Sequence, residues 1–230
     1  MRQVGKILEV IVTSLHEAIE AECGGADRLE LVRALDEEGL TPSLDLVRNV
    51  VKAVRIPVRV ILRESRGFGV SDCNEMRILQ ERAGELGDIP IDGIVAGYIK
   101  EGRVDLDVMC RVLEYAAHCR VTFHRAFDSV DDPLRALDDL RQIPQVDHVL
   151  TGGGPGGWPE RAQRLVTWNR AAGPGRTILA GGGIDAGSLG ELAKNSSLTE
   201  FHVGRAARVP TIPLGSVRRT KVAELKALLA

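Results

Sequence analysis

Aromatic residues, long apolar runs and paired cysteines are all scarce in this sequence of 230 residues. Only four Phe, two Trp and two Tyr are present, so stacking platforms for nucleic-acid bases are not expected. The apolar runs are short, whereas a membrane-spanning helix needs about 20 apolar residues. The four cysteines form no C-x-x-C pair and lack zinc-finger spacing, which argues against a disulfide framework or a zinc finger.

A strong excess of one charge is also absent, because the net charge is only −2. This balance predicts no nucleic-acid partner and no anionic membrane partner. The first six residues contain no apolar signal-peptide core, so the expected location is the cytoplasm. Arginine outnumbers lysine 24 to 6. A compositional bias is the favoured explanation of this excess. The functional alternative is that a few arginines bind an anion, since the guanidinium group matches carboxylate and phosphate oxygens.

Short β-rich runs alternate with amphipathic helical stretches along the whole chain. Eight such units predict an α/β protein with a single domain, residues 1–230, folded as a (β/α)8 TIM barrel. An open doubly wound sheet is the alternative, and the count of eight without long crossovers favours the barrel. The predicted strands are 7–12, 28–32, 57–63, 91–97, 121–128, 146–151, 177–182 and 200–204. The predicted helices are 14–23, 43–54, 71–86, 106–118, 132–141, 159–171, 186–193 and 218–229.

Polar side chains recur on one face of these strands, at alternate positions, while the other face is apolar. The apolar face packs against the helices, so the polar face points into the barrel and converges near the carboxyl ends of the strands. The candidate catalytic or binding residues on that face are Glu9, Glu30, Arg63, His124, Asp128 and His202. Arg125 has the opposite parity and is expected either behind the inward-facing residues or at the rim.

Burying a charged side chain inside a barrel costs free energy unless the charge is paired or binds a ligand. A functional site is therefore the favoured interpretation of this set of residues. An internal ion-pair network without a ligand is the alternative. Glu and His supply acid and base groups, and Arg63 suits an anionic substrate. Two Glu and two His also suit zinc, manganese or iron(II), so it stays open whether a metal binds and which one.

Glycine-rich turns follow the last strands. Gly181, Gly182 and Gly183 end the seventh strand and Gly204 ends the eighth, where TIM barrels often bind phosphate through backbone N–H groups. Tight turns alone explain these glycines equally well. A literal G-x-G-x-x-G at 152–157 lies too deep in the chain for a dinucleotide site.

Several motifs together resemble the CutC family, usually called copper homeostasis proteins. The resemblance spans nearly all of residues 7–204, and its most specific part is TFHRAFD at 122–128. Further marks are GGADRLEL at 24–31, GLTPS at 39–43, GGGI at 181–184 and TEFH at 199–202. The resemblance implies a (β/α)8 barrel and a cytoplasmic protein linked to copper handling, with copper ion binding and no assigned reaction.

The chain departs from that family where the family often has cysteine. Ile11, Val32 and Val203 stand at these strand positions. Copper(I) prefers thiolate or thioether ligands, so copper is implied by the family alone and is not supported by these positions. The loop after the third strand reads RESRGFG at 63–69, in place of the usual RPRGGDF, and the tail lacks the usual Arg-Asn-Ser segment.

Two functions follow. The resemblance implies a CutC-type copper homeostasis protein that binds copper or another metal ion. The residue chemistry instead suggests a lyase, isomerase or hydrolase acting on a small anionic metabolite, phosphorylated ones included, by Glu and His acid–base chemistry. The expected partner is a small molecule or a metal ion, and a homodimer is left open. Cys73, near a helix start, is the cysteine best placed to approach the site.

Overall fold

The computed structural model describes residues 5–230, and its centre is a closed barrel of eight parallel strands. Each strand pairs with its neighbours in chain order, and the first strand also pairs with the last. The predicted (β/α)8 barrel is therefore confirmed. The strands are β1 Ile7–Val12, β2 Arg28–Leu31, β3 Val58–Ile61, β4 Gly93–Ala96, β5 Arg120–Phe123, β6 Val146–Thr151, β7 Thr177–Ala180 and β8 Glu200–Val203.

One α-helix follows each strand in the described chain. The helices are α1 Leu15–Cys23, α2 Leu44–Ala53, α3 Cys73–Gly87, α4 Leu106–Leu113, α5 Pro133–Leu140, α6 Trp158–Ala172, α7 Ala186–Asn195 and α8 Arg219–Ala227. Most begin after a side chain that accepts a backbone N–H of the first turn, which satisfies a donor that has no partner inside the helix. These capping residues are Ser14, Ser43, Asp72, Asp105, Asp132 and Asp185.

The strand residues alternate between two environments, as their sequence pattern predicts. On β1, Leu8, Val10 and Val12 are fully buried in the apolar layer between barrel and helices. Glu9 and Ile11 lie between them in sequence and face the barrel interior, because neighbouring side chains on a strand point to opposite sides. The barrel interior is therefore polar at many positions, while the apolar core surrounds it.

The fifth strand is shorter than the predicted span 121–128. It ends at Phe123, and the chain turns at once into a 3-10 helix over Arg125–Ser129. His124 starts that turn, and its Nδ1 accepts the N–H of Ala126 at 3.2 Å. The prediction that Asp128 lies on the strand is thus wrong, because the strand ends five residues earlier, at Phe123, and His124 caps the turn that follows.

The segment after β8 adds structure that the sequence pattern did not predict. Arg208–Val209 and Ser216–Val217 form a short antiparallel pair, and α8 then packs against α1. Gly24 permits this approach, because a Cβ there would lie 2.5 Å from Cβ of Val222. A second short pair, Ile99–Lys100 with Arg103–Val104, follows β4. Among residues 5–230, no helix combines the length and apolar character needed to span a membrane.

Candidate functional site

A cavity of about 700 Å³ opens at the carboxyl ends of the barrel strands. It is walled by side chains that follow or end β1, β2, β3, β5, β7 and β8, so the strand ends bring distant parts of the sequence together. Most of the predicted site residues lie on this wall. They are Glu30, Arg63, His124, Arg125, Asp128, His202, Gly182, Gly183 and Gly204.

Glu9, Glu30 and His202 form a buried cluster on three adjacent strands. The register of the barrel places Glu9 of β1 directly beside His202 of β8, and both side chains face inward. Nδ1 of His202 lies 2.8 Å from Oε1 of Glu9 and 3.4 Å from Oε2 of Glu30. One ligand atom from each residue lies within 4.8 Å of the other two, so the three side chains could hold a metal ion.

The charges in this cluster depend on one another. Burial alone raises the pKa of Glu9, but the positive charges of Arg28 and His202 outweigh burial and hold that pKa well below its usual range. Burial raises the pKa of Glu30 to about 7, with His202 opposing the rise and Glu9 adding to it. Burial lowers the pKa of His202, but its hydrogen bond to Glu9 and the charge of Glu30 raise it overall.

Arg63 is a nearly buried cation on the cavity wall. Its Nε donates to the carbonyl of Ser65 at 3.0 Å, and its Nη1 donates to the carbonyl of Glu38 at 3.4 Å. The nearest carboxylate oxygen belongs to the exposed side chain of Glu38, 3.7 Å from Nη2. The guanidinium also lies over the ring of Phe68, 5.2 Å from its centroid. Carbonyl groups and an aromatic ring therefore orient this cation, and neither carries a full negative charge.

His124 lies beside Arg63 and is also buried. Its ring centroid is 5.3 Å from that of Phe68. Burial and, to a smaller extent, the positive charge of Arg63 together lower the pKa of His124 to about 3. The imidazole is therefore neutral at pH 7. Because Nδ1 accepts a backbone N–H, the ring proton is assigned to Nε2, which has no hydrogen-bond partner among residues 5–230.

Asp128 and Arg125 reach the wall from the 3-10 turn and bind each other. Nε of Arg125 donates to Oδ2 of Asp128 at 2.9 Å, and the N–H of Gly152 also donates to this carboxylate, at 3.0 Å. The hydroxyl of Thr151 donates to the same group. Asp128 is thus a fully engaged acceptor, and the expectation that Arg125 lies at the rim agrees with its half-exposed side chain.

The predicted glycine positions divide into two groups. Gly182 and Gly183 have left-handed backbone with φ of +70° and +88°, and they line the cavity together with Gly204. Gly181 is not on the wall, because its N–H donates to Thr151 and a Cβ there would lie 2.6 Å from the side chain of Leu150. The N–H groups of Gly182 and Gly183 have no acceptor within the described part of the chain.

A second polar layer, which was not predicted from the sequence, fills the barrel below the cavity. Arg59 is fully buried and binds Asp147 through two bonds of 2.7 Å and Asp92 through one of 2.9 Å. Arg28 binds Glu9 and Glu200, and His148 lies between the two arginines. Two features of the sequence could have predicted it. Arg28 and Arg59 alternate with the apolar residues of their strands and so point inward, and an Asp-His pair interrupts the mostly apolar strand β6.

One wall of the cavity is apolar. Ile11 and Ile61 line it, and they pack with the fully buried Val32 and Val95 in a cluster separate from the main core. Two of these residues, Ile11 and Val32, stand where the family resemblance places cysteine. The chain's own cysteines lie elsewhere: Cys23, Cys73 and Cys110 are exposed, and Cys119 is buried before β5. In the described chain, no sulfur atom belongs to a residue that lines the cavity.

Comparison with known proteins gives a consistent result. The model of the CutC family matches residues 6–207. A family protein CutC of Xanthomonas campestris pv. campestris (strain B100) is 32% identical over 235 residues, covering 96% of this chain and 97% of the relative. The copper homeostasis protein cutC homolog of Homo sapiens is 34% identical over 199 residues, covering 86% of this chain and 72% of the relative.

Solved structures agree at the level of the fold. The putative copper homeostasis protein CutC from Streptococcus agalactiae superposes with a TM-score of 0.80 at 22% identity, covering 86% of this chain and 98% of that one. Orotidine 5'-phosphate decarboxylase from Pyrococcus horikoshii superposes with a TM-score of 0.65 at 12% identity, covering 97% and 99%. At such identities the likeness concerns the barrel alone.

Proposed function

The chain belongs to the CutC family, and from that premise we propose that it acts in copper homeostasis by binding a copper ion inside its barrel. The name of the human relative supports the biological role, since that protein is called a copper homeostasis protein homolog. Neither of the two sequence relatives, from Xanthomonas campestris and Homo sapiens, carries a reaction in its name. The alternative of an acid–base enzyme therefore has less support than the copper role.

Copper(I) does not fit the interior of this barrel. That ion prefers thiolate and thioether ligands, and the residues that line the cavity in the described chain contain no sulfur. Ile11 and Val32 occupy the relevant strand positions and pack into the apolar wall, while Val203 is buried in the outer core. A thiolate site for copper(I) within the barrel is therefore not part of the proposal.

Divalent copper fits better, because its preferred ligands include imidazole nitrogen and carboxylate oxygen. The observation that carries the proposal is the cluster of Glu9, Glu30 and His202, whose ligand atoms lie within 4.8 Å of one another. Among divalent first-row ions, copper binds nitrogen and oxygen sites most tightly.

Titration of Cu²⁺ into the metal-free protein tests the proposal. We expect one tight site per chain, with an electron paramagnetic resonance signal that shows nitrogen coupling from one imidazole. His202→Gln should lose this site, whereas His118→Gln, which changes an exposed histidine on the outside of the barrel, should keep it. A thiol-free variant should also keep it. Unchanged Cu²⁺ binding by His202→Gln, or copper binding that requires the cysteines, would overturn the proposal.

Other expectations from the sequence stay predictions. They are the cytoplasmic location, the lack of a nucleic-acid or membrane partner and the open question of a homodimer. Size-exclusion chromatography with light scattering decides the last of these, and fractionation of the source cells decides the first.

A further inference from the structure

The cavity contains cationic and neutral donors that the proposed copper site does not use. A bare ion occupies far less than 700 Å³, while small-molecule sites typically span about 300–1,000 Å³. The copper cluster also lies on one side of the barrel, on β8, β1 and β2. The unused donors follow β3, β5, β7 and β8, around the rest of the mouth.

Arg63 supplies the first observation. It is about 95% buried, and its described partners are two backbone carbonyls and one loose contact to an exposed carboxylate. Burying a guanidinium without a close counter-charge is costly, so such an arrangement is stable chiefly where a ligand supplies the anion. A guanidinium fork also matches carboxylate and phosphate oxygens in geometry.

His124 supplies the second observation. It is also about 95% buried, and its Nε2 has no partner among residues 5–230, although the ring lines the cavity. A neutral imidazole N–H beside a cation is a suitable second donor for an anion. Such an N–H group can donate a hydrogen bond to the anion without placing a second buried positive charge beside Arg63.

The turn after β7 supplies the third observation, on the opposite side of the mouth from β3. The N–H groups of Gly182 and Gly183 lack acceptors in the described chain, and left-handed backbone at both positions favours glycine. Arg205, an exposed cation without a described ion pair, lies next to Gly183: a Cβ there would be 3.8 Å from its Nη2. Arg125 lies beside Gly182 in the same way.

The carboxylates on the wall do not cancel these donors. Oε2 of Glu30 lies 3.4 Å from Nδ1 of His202, within the proposed copper cluster. Asp128 is engaged by Arg125, Thr151 and the N–H of Gly152. Asp185 caps helix α7, where its Oδ1 accepts the N–H of Ser188 at 2.8 Å. Asp36 and Glu38 are exposed at the rim. The deeper donors, Arg63 and His124, therefore face a part of the cavity that favours negative charge.

We propose that this cavity binds a small organic anion with two acidic groups, one held by Arg63 and His124 and the other by the Gly182–Gly183 turn with Arg205. Carboxylates and phosphates share the required chemistry. The proposal goes beyond the copper site, because the ligand's contacts involve none of Glu9, Glu30 and His202.

Isothermal titration of the metal-free protein with three pairs of compounds tests this. The pairs are malonate with malonamide, succinate with succinamide, and glycerol 3-phosphate with glycerol. At least one anion should bind with one site per chain, and its neutral partner should not. Arg63→Met should weaken that binding by about tenfold or more, because a charge-assisted hydrogen bond is lost. Arg66→Met, a neighbouring exposed arginine paired with Glu37, should leave it unchanged.

Arg205→Met gives a second readout, since this exposed side chain has no described role in folding. It should also weaken binding of the anion. Tighter binding of malonate or succinate than of glycerol 3-phosphate would identify the ligand as a dicarboxylate. The reverse order of affinities would identify it as a phosphate. The proposal is overturned if no anion of the panel binds, or if Arg63→Met and Arg205→Met both bind it as the parent does. Cu²⁺ titration of the same variants separates this result from the copper proposal, because neither arginine is a copper ligand.

Discussion

Nδ1 of His202 lies 2.8 Å from Oε1 of Glu9, and this contact joins the last strand of the barrel to the first. The strand register sets the two residues side by side where β8 pairs with β1. The other carboxylate oxygen of Glu9 binds Arg28 of β2. One buried carboxylate thus connects three strands at the point where the barrel closes.

Glu9→Gln should strongly destabilise the protein, because the substitution leaves Arg28 buried without one of its two carboxylates. Removing one partner of a buried ion pair typically costs about 3–5 kcal/mol of the free energy of unfolding. Urea denaturation monitored by circular dichroism measures the loss. Glu81→Gln breaks an exposed pair with Arg77 and should cost about 0–1 kcal/mol. Equal effects of the two substitutions would contradict this role of Glu9.

Stability should fall in acid partly through Asp147. Burial alone raises the pKa of Asp147, but His148 and Arg59 outweigh burial and hold that pKa well below its usual range. A depressed pKa in the folded state contributes stability that is complete above the unfolded pKa, near pH 4, and is lost as the pH falls below it. Asp147→Asn should therefore be less stable at pH 7 and show a shallower loss below about pH 4.

The matched control for that substitution is Asp45→Asn, whose carboxylate is 91% exposed. Its unfolding free energy should follow the parent protein across the whole acid range. If Asp147→Asn loses stability below about pH 4 as steeply as the parent protein does, then the polar layer below the cavity does not govern acid unfolding.

Cysteines at two positions of the apolar wall should create a copper(I) site. Ile11 and Val32 belong to one buried cluster at the mouth, so paired thiolates there would offer the soft ligands that copper(I) prefers. In a background with its own four cysteines replaced, Ile11→Cys with Val32→Cys should bind copper(I) in competition with a chromophoric chelator. Ile11→Cys alone should bind far more weakly. Failure of the double variant to exceed the thiol-free parent would show that the wall cannot form this site.

Gly215→Ala should destabilise the segment after β8. A Cβ at this position would lie 1.9 Å from the carbonyl oxygen of Pro210, so the backbone must move. Movement also affects Arg208, whose Nη1 donates to the carbonyl of Gly215 at 2.6 Å. We expect a loss of about 1–3 kcal/mol on unfolding, as for other overpacked sites. Gly187→Ala, in helix α7, should be neutral or stabilising, because a Cβ there would lie 3.6 Å from Oδ1 of Asp185, an ordinary van der Waals contact.

The alternation of polar and apolar residues was sufficient to predict the inward direction of Glu9, Glu30 and His202. The side of a strand to which a residue points depends only on its position in the local alternating pattern, so it can be predicted from the sequence. Asp128 shows the limit of that reasoning, because a cap at His124 ends the strand early and a 3-10 turn carries Asp128 to the wall instead. Parity could place Arg28 and Arg59 inside the barrel, but their partners Glu200 and Asp147 come from strands far away in sequence.

The polar layer below the cavity has a consequence for how the barrel assembles. Arg28 and Arg59 belong to the first three strands, whereas Asp147, His148 and Glu200 belong to the sixth and the eighth. A half-barrel made of the first four strands would lack several counter-charges for its two interior guanidinium groups. We therefore expect that the two halves of the barrel do not fold independently. The barrel should instead close in one cooperative step, in which the interior ion pairs form together.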